Sequence, residues 1–359
     1  MSGIYVHIPF CKSRCKYCDF FSTTHLEKRT QYTEALLCEW NDRRKELIGD
    51  IRTIYIGGGT PSMMSVESLE RIIAAIKQEA KDAQEVTMEA NPGNITREKA
   101  QAWRAMGINR LSIGIQSFND HLLQLVGRRH NSQQAIQAVK YAQAAGFDNI
   151  SIDLIYALPD QTMAMWQEDI SQALALGVQH ISSYGLIYEE GTVLTTLLEH
   201  GIIEAVDEEV EMQMYDYLVE QLTAHGYKHY EVSNFALPKR ESQHNSSYWN
   251  DTPYLGLGAG AHSYNKTQRQ WNISELDSYI EQALAHNLQP EIETLTDEQR
   301  HTEHVMLALR TSHGVDKTLV NQEAAKRYIQ QGLLAEQDGY IMATTQGFHV
   351  LNRIIEEVL

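Results

Sequence analysis

Short runs rich in β-branched residues alternate with longer amphipathic stretches through roughly the first 205 residues of this chain. Ile4–Ile8, Ile51–Ile56, Glu85–Ala90, Arg110–Ile115, Ile150–Ile155 and His180–Leu186 read as strands. Between them, stretches near 27–47, 65–81, 96–106, 131–145 and 163–176 place apolar residues three and four apart, the period of a half-buried helix. Gly107, Gly146 and Gly177 fall where such helices stop, shortly before the next strand. Strand then helix, six times over, predicts a parallel sheet with right-handed crossovers. Six units are too few for a closed eight-fold barrel, so the expected fold class is α/β, an open partial (β/α)6 barrel. In such folds chemistry gathers at the carboxyl ends of the strands.

The pattern changes after about residue 205. An amphipathic helix over Glu208–His225 leads to a strand-like Tyr227–Phe235 and then a loop rich in glycine and aromatics. From Thr296 the periodicity is helical again, with a hairpin over Leu334–Ala343 turning on Asp338-Gly339 and a closing helix over Gln346–Val358. The expected division is a barrel core over 1–205, an α+β extension over 206–290 and a winged-helix-like unit over 291–359. Such a unit can read DNA, but the acidic balance of this chain favours an interaction or lid role.

Composition narrows the function classes. The 359 residues are 43% hydrophobic, enough for a large core and more than one domain. A net charge of −17 argues against tracking a phosphate backbone and gives no reason to expect an anionic membrane surface as partner. No apolar run approaches the roughly 18 residues needed to span a bilayer. The N-terminus shows no basic segment followed by an apolar stretch, so no secretory leader is expected. Four cysteines are too few for a disulfide framework, and three of them stand at metal-ligand spacing, which points to a reducing compartment. A cytoplasmic location is the expectation.

Those three are Cys11, Cys15 and Cys18, a C-x3-C-x2-C loop directly after the first strand. A closed zinc or iron–sulfur site takes four protein ligands, so three thiolates leave one coordination position open. No fourth ligand stands nearby at zinc spacing: His7 lies on the predicted strand, Cys38 reads as a buried apolar helix residue, and Asp19 is a poor cluster ligand beside thiolates. A [4Fe–4S] cluster with one iron free for a small molecule is the expectation.

Further polar groups end the successive strands. Gly57-Gly58-Gly59-Thr60-Pro61 follows the second, where glycine lets a backbone approach a ligand closely. Glu89 ends the third, Gln116 ends the fourth, Arg128 follows in Gly127-Arg-Arg-His130, and Asp153 sits in the fifth among apolar neighbours. A lone acid in a strand is ordinarily a structural hydrogen-bonder; polar groups on four successive βα units point to one mouth.

The cysteine loop, with the preceding Tyr5-Val-His-Ile-Pro-Phe10, resembles the radical S-adenosylmethionine (SAM) superfamily and its coproporphyrinogen dehydrogenase-like branch. The resemblance implies that the open iron takes the amino and carboxylate groups of SAM. It further implies SAM contacts from Gly58, Gly59 and Thr60, with Glu89 and Arg128 at the amino-acid end, Gln116 and Asp153 on the ribose, Tyr5 near the sulfonium and Tyr17 on the adenine. The dehydrogenases carry a further cysteine two residues after the third; here that position is Phe20. A second cue, Gln243-His-Asn-Ser-Ser-Tyr-Trp249 followed by Gly258-Ala-Gly-Ala-His262, looks like the haem chaperone HemW family, which shares the radical SAM core. That resemblance implies haem as a ligand, with His244 as an axial imidazole and Tyr248 and Trp249 covering the macrocycle; His262 is a second candidate. It also implies haem-requiring acceptors, among them respiratory membrane proteins, and an electron donor for the cluster. A homodimer stays open. The rival function is oxygen-independent coproporphyrinogen III dehydrogenase, in porphyrin biosynthesis. His301 and His304, three apart on a predicted helix, read as solvated or packed residues rather than a metal pair.

Overall fold

A computed structural model describes residues 2–47 and 49–359. The six expected strands form in order: β1 (Ser2–Ile8), β2 (Ile51–Gly58), β3 (Glu85–Ala90), β4 (Arg110–Gln116), β5 (Ile150–Tyr156) and β6 (His180–Gly185). Each pairs parallel with the next, with Ile4 beside Ile54, Met88 beside Leu111 and Ile152 beside Ile181. Alternation along the strands sorts the side chains by face. Ile4, Val6, Ile54, Ile56, Leu111, Ile113, Ile152 and Leu154 are fully buried on the helix side. The opposite phase carries Tyr55, Glu89, Ser112, Gln116, Asp153 and Ser182, which line the interior of the open barrel. The crossover helices are capped as their sequences ask. Asn131 and Gln134 form a reciprocal capping box, and Thr96 and Thr162 accept the N3 amide of theirs.

Residues 206–290 do not stand apart from the barrel. The expected single strand Tyr227–Phe235 is a tight antiparallel pair, β7 (Lys228–Glu231) and β8 (Asn234–Ala236), and β8 adds antiparallel to β6. At the other edge β9 (Tyr254–Leu257) pairs parallel with β1. Beyond it follow β10 (His262–Tyr264), β11 (Gln268–Trp271) and β12 (Glu291–Thr294), so one sheet of 12 strands runs through both regions. Leu255, Leu257, Tyr279 and Ile280 belong to the same hydrophobic core as β1 and β2. The glycine- and aromatic-rich stretch expected as a loop therefore supplies strands, and it contains helix Gln243–Trp249.

The C-terminal region has its own core of Val305, Leu309, Tyr328, Ile341, Ile354 and Ile355. Helices Asp297–Ala308 and Gln322–Gln330 flank a short strand, β13 (Val315–Asp316); the hairpin β14 (Leu334–Gln337) and β15 (Tyr340–Ala343) follows. Asp338 and Gly339 have φ of +52° and +86°, the paired left-handed residues of a type I′ turn. The expected closing helix is two, Thr345–Phe348 and Leu351–Val358, broken where Val350 leaves helical geometry (φ −124°, ψ 24°).

Candidate functional site

A cavity of about 500 Å³ fills the barrel mouth. It is bordered by Cys11, Cys15 and Cys18, by Tyr17, by Gly58, Gly59 and Thr60, and by Glu89, Gln116, Arg128 and Asp153. Residues spread over more than 140 positions of sequence thus meet in one place because each lies in, ends or follows a parallel strand.

The cysteine loop is pinned at both ends. Cys11 N donates to Thr23 O at 2.8 Å, and Lys16 N donates to Val126 O at 3.0 Å. Gly127 lets the loop pass closely: its φ is +77° and a Cβ there would meet the Lys16 side chain at 3.3 Å. The thiols are partly exposed and make no disulfide. Cys11 Sγ lies 3.3 Å from Thr60 Oγ1, and Arg128 Nη1 donates to Cys15 Sγ at 3.4 Å. Burial pushes the Cys11 and Cys18 thiols up, so a bound metal is what would hold them as thiolates. Among the described residues no three His, Cys, Asp or Glu side chains close on a single metal ion. Three thiols bordering one cavity are a donor set that fits an iron–sulfur cluster. Cys38, expected as buried, is partly exposed and lies outside the cavity.

The glycine segment is tightly cradled. Gly58 has φ +108°, and a Cβ on it would sit 2.5 Å from the His7 ring. A Cβ on Gly59 would strike the Pro9 carbonyl carbon at 2.8 Å and approach Cys11 Sγ at 3.1 Å. Glu89 lies beneath: Oε1 accepts from Tyr55 Oη at 2.8 Å and Oε2 from Gly58 N at 3.1 Å. Burial, with Asp153 nearby, raises the Glu89 carboxyl to about 7. Burial also pushes Asp153 up, although it accepts from Ser112 Oγ at 3.1 Å.

Gln116 is held by strain. Its φ is +73°, at a bulge where β4 slips register against β5 between Gly114 and Gln116. The space left by Gly114 is where three groups converge. A Cβ there would lie 2.9 Å from Gln116 Nε2, 3.4 Å from Arg128 Nη2 and 4.0 Å from Asp153 Oδ2. Burial opposes the Arg128 charge, but Tyr17 and Cys15 beside it hold the guanidinium firmly protonated. The wall therefore offers an acid, an amide and a cation to a zwitterionic ligand with hydroxyls.

Tyr5 does not border the cavity; its hydroxyl bonds His7 Nδ1 at 2.9 Å and its ring stacks on Tyr55 at 6.2 Å. His244 departs from the expected loop position. It lies inside helix Gln243–Trp249, with no exposed surface, below the barrel. Its Nδ1 bonds Thr53 Oγ1 at 2.8 Å and its Nε2 bonds Tyr248 Oη at 2.9 Å, so neither ring nitrogen is open to an iron in this conformation. Tyr248 and Trp249 are partly buried and border a second cavity of about 160 Å³ with Arg269 and His304. His262 is exposed and stacks on Trp271, and His301 is exposed. Tyr55, Ser112, Ser182 and Asn245 border the main cavity and were not singled out. Strand alternation placed the first three in phase with Glu89 and Asp153; nothing local marked Asn245.

A parallel partial barrel whose mouth brings three cysteines together with a glycine run and a set of polar strand ends defines the radical SAM class, and the family model described as the radical SAM superfamily matches residues 5–173. The chain is 37% identical to the heme chaperone HemW of Lactococcus lactis subsp. lactis (strain IL1403), over 100% of this chain and 97% of that protein. It is 35% identical to the heme chaperone HemW of Bacillus subtilis (strain 168), over 97% and 96%. Among solved structures it resembles coproporphyrinogen III oxidase (HemN) from Escherichia coli, with TM-score 0.83 and 23% identity, over 99% of this chain and 89% of that one; this likeness is one of fold. The chain belongs to the HemW family of radical SAM proteins.

Proposed function

We propose that this protein is a haem chaperone that holds a [4Fe–4S] cluster and SAM in its barrel, binds haem, and passes it to haem-requiring acceptors, respiratory membrane proteins among them. Cys11, Cys15 and Cys18 are the cluster ligands in this reading. Gly58, Gly59, Thr60 and Glu89 receive the amino group of SAM, Arg128 its carboxylate, and Gln116 and Asp153 its ribose, with Tyr17 beside the adenine. When bound, the cluster supplies one-electron reducing chemistry from a separate electron donor. The single supporting observation is that all these groups border one cavity, in a chain related over its whole length to proteins named heme chaperones. Haem is assigned to the outer side of helix Gln243–Trp249, where Trp249 and His304 border the second cavity and Arg269, beside them, is paired with Glu303 at 2.6 Å. No helix among the described residues is long and apolar enough to cross a membrane, so a membrane-bound acceptor is met from outside the bilayer. The reading assigns the protein to the cytoplasm.

The test is anaerobic reconstitution followed by haem titration. One haem per chain, with transfer to an apo-acceptor and no protoporphyrinogen formed from coproporphyrinogen, supports the chaperone. Decarboxylation coupled to SAM cleavage, without haem retention, supports the dehydrogenase instead. Trp249→Ala and His304→Ala are each expected to weaken haem binding about tenfold, the scale of one lost aromatic or ligand contact.

A further inference from the structure

The Gln243–Trp249 helix belongs to the cofactor barrel more closely than its sequence suggests. Its first turn is clamped to the amino-terminal end of β3: Glu85 Oε2 accepts from Gln243 N at 2.9 Å and Oε1 from His244 N at 3.0 Å. Ser242 caps it through Asn245 N at 3.3 Å. The next residue, Asn245, borders the same cavity as the cysteines at the far end of the barrel. The helix is thus the floor of that cavity.

His244 is the side chain that joins floor to wall. Burial drops its pKa to about 3, so the ring is neutral. One ring nitrogen must then donate and the other accept, which Thr53 and Tyr248 each allow. Its ring stacks on Tyr55 with centroids 5.1 Å apart and planes at 26°. Tyr55 in turn donates its hydroxyl to Glu89. A Cβ on Gly57 would lie 2.8 Å from the Tyr55 ring and 2.9 Å from Glu89 Oε1, so the glycine segment rests on this pair. There is no slack on the other side: a Cβ on Gly3 would come within 3.1 Å of the His244 ring. Movement of His244 is therefore transmitted through Tyr55 to the carboxylate and amide that face the ligand.

We propose that His244 is a positioning residue for SAM, acting through Tyr55 on Glu89, with Asn245 completing the floor. This rests on the reading of the main cavity as the SAM site. Its consequence is that loss of the histidine of this helix shows first in the nucleotide, not in the haem.

The experiment uses full-length protein with its cluster reconstituted. The affinity for SAM is measured by equilibrium dialysis, and SAM-induced change in the electron paramagnetic resonance signal of the reduced cluster is recorded alongside haem titration. His244→Ala and Tyr55→Phe are each expected to weaken SAM about tenfold, the scale of one misplaced hydrogen bond to a charged group. The double variant should be little worse than the worse single one, because both act on one linkage. Iron content and haem stoichiometry should stay at the unsubstituted level, and His244→Gln should recover part of the SAM affinity. SAM affinity of His244→Ala within about twofold of the unsubstituted protein, additive losses, or loss of haem with SAM unaffected overturns the proposal. Should His244→Ala not accumulate folded, His244→Leu takes its place in the cycle with Tyr55→Phe and the same outcomes apply. Failure of the unsubstituted protein to bind SAM overturns instead the reading beneath it.

Discussion

Glu89 shows how much of this site is decided by one residue's surroundings. Its carboxyl ordinarily titrates near 4.5, and burial raises it to about 7. Between those values the folded state holds a proton that the unfolded chain has lost, so ionising Glu89 costs stability as pH rises through that window. A ligand amino group prefers the ionised carboxylate. SAM affinity is therefore expected to rise several-fold between about pH 6 and about pH 8, and to be flat over that range in Glu89→Gln, by dialysis at matched ionic strength. A flat profile in the unsubstituted protein removes Glu89 from the amino-group site. The positions of Glu89, Gln116 and Arg128 are legible because each stands at or after a strand end, and that of Asp153 because it is an acid inside an apolar strand. The environment of Tyr5 and His244 is not, because ring contacts such as Tyr5 on Tyr55 and Tyr55 on His244 join strands far apart in sequence.

At the scale of elements, tight backbone approaches carry the site. Gly58→Ala would place a methyl on a residue at φ +108° and within 2.5 Å of the His7 ring, where neither can give. The expected result is a loss of about 1–3 kcal/mol in stability with SAM binding abolished, read by thermal melting and dialysis. Helix Gln243–Trp249 reads as a loop in the sequence because its seven residues, Gln-His-Asn-Ser-Ser-Tyr-Trp, have no apolar period. It is helical because its amides find Ser242, the adjacent N-cap, and Glu85, an acceptor that only the fold brings there. Ser242→Ala should cost about 1 kcal/mol, the usual worth of an N-cap, and lower the melting temperature without altering cluster content. The Asp338-Gly339 hairpin, whose signal is two adjacent residues, formed as read.

At the scale of the molecule, a buried polar network ties the barrel to the strands added beside β1. Glu39, with its side chain wholly buried, accepts from Gly258 N at 2.8 Å, Asn272 Nδ2 at 2.6 Å and Tyr279 Oη at 2.6 Å, and pairs with Arg43 at 2.9 Å. Arg43 reaches on to Glu46 and Gln270 at 3.0 Å each. Removing Glu39 leaves the buried Gly258 N and Tyr279 Oη donors without their acceptor, so Glu39→Ala is expected to cost about 3 kcal/mol and to open the 256–272 segment to proteolysis. An unchanged melting temperature and digestion pattern would show that the two regions are held together by apolar packing alone. Sequence periodicity marks Glu39 only as a helix residue, since its partners other than Arg43 lie more than 200 positions away.

Local pattern was enough for the order and phase of the six parallel strands, the cysteine loop after the first of them, and the polar residues in and after the others. Periodicity and spacing are local properties, and parallel topology converts them into a shared mouth. The tertiary structure alone decided that the 206–290 region extends the barrel sheet at both edges, that a helix without apolar period closes its floor, and that His244 faces inward with both nitrogens engaged. Those outcomes depend on hydrogen bonds and ring contacts between segments distant in the chain, which leave no repeating pattern in any one of them.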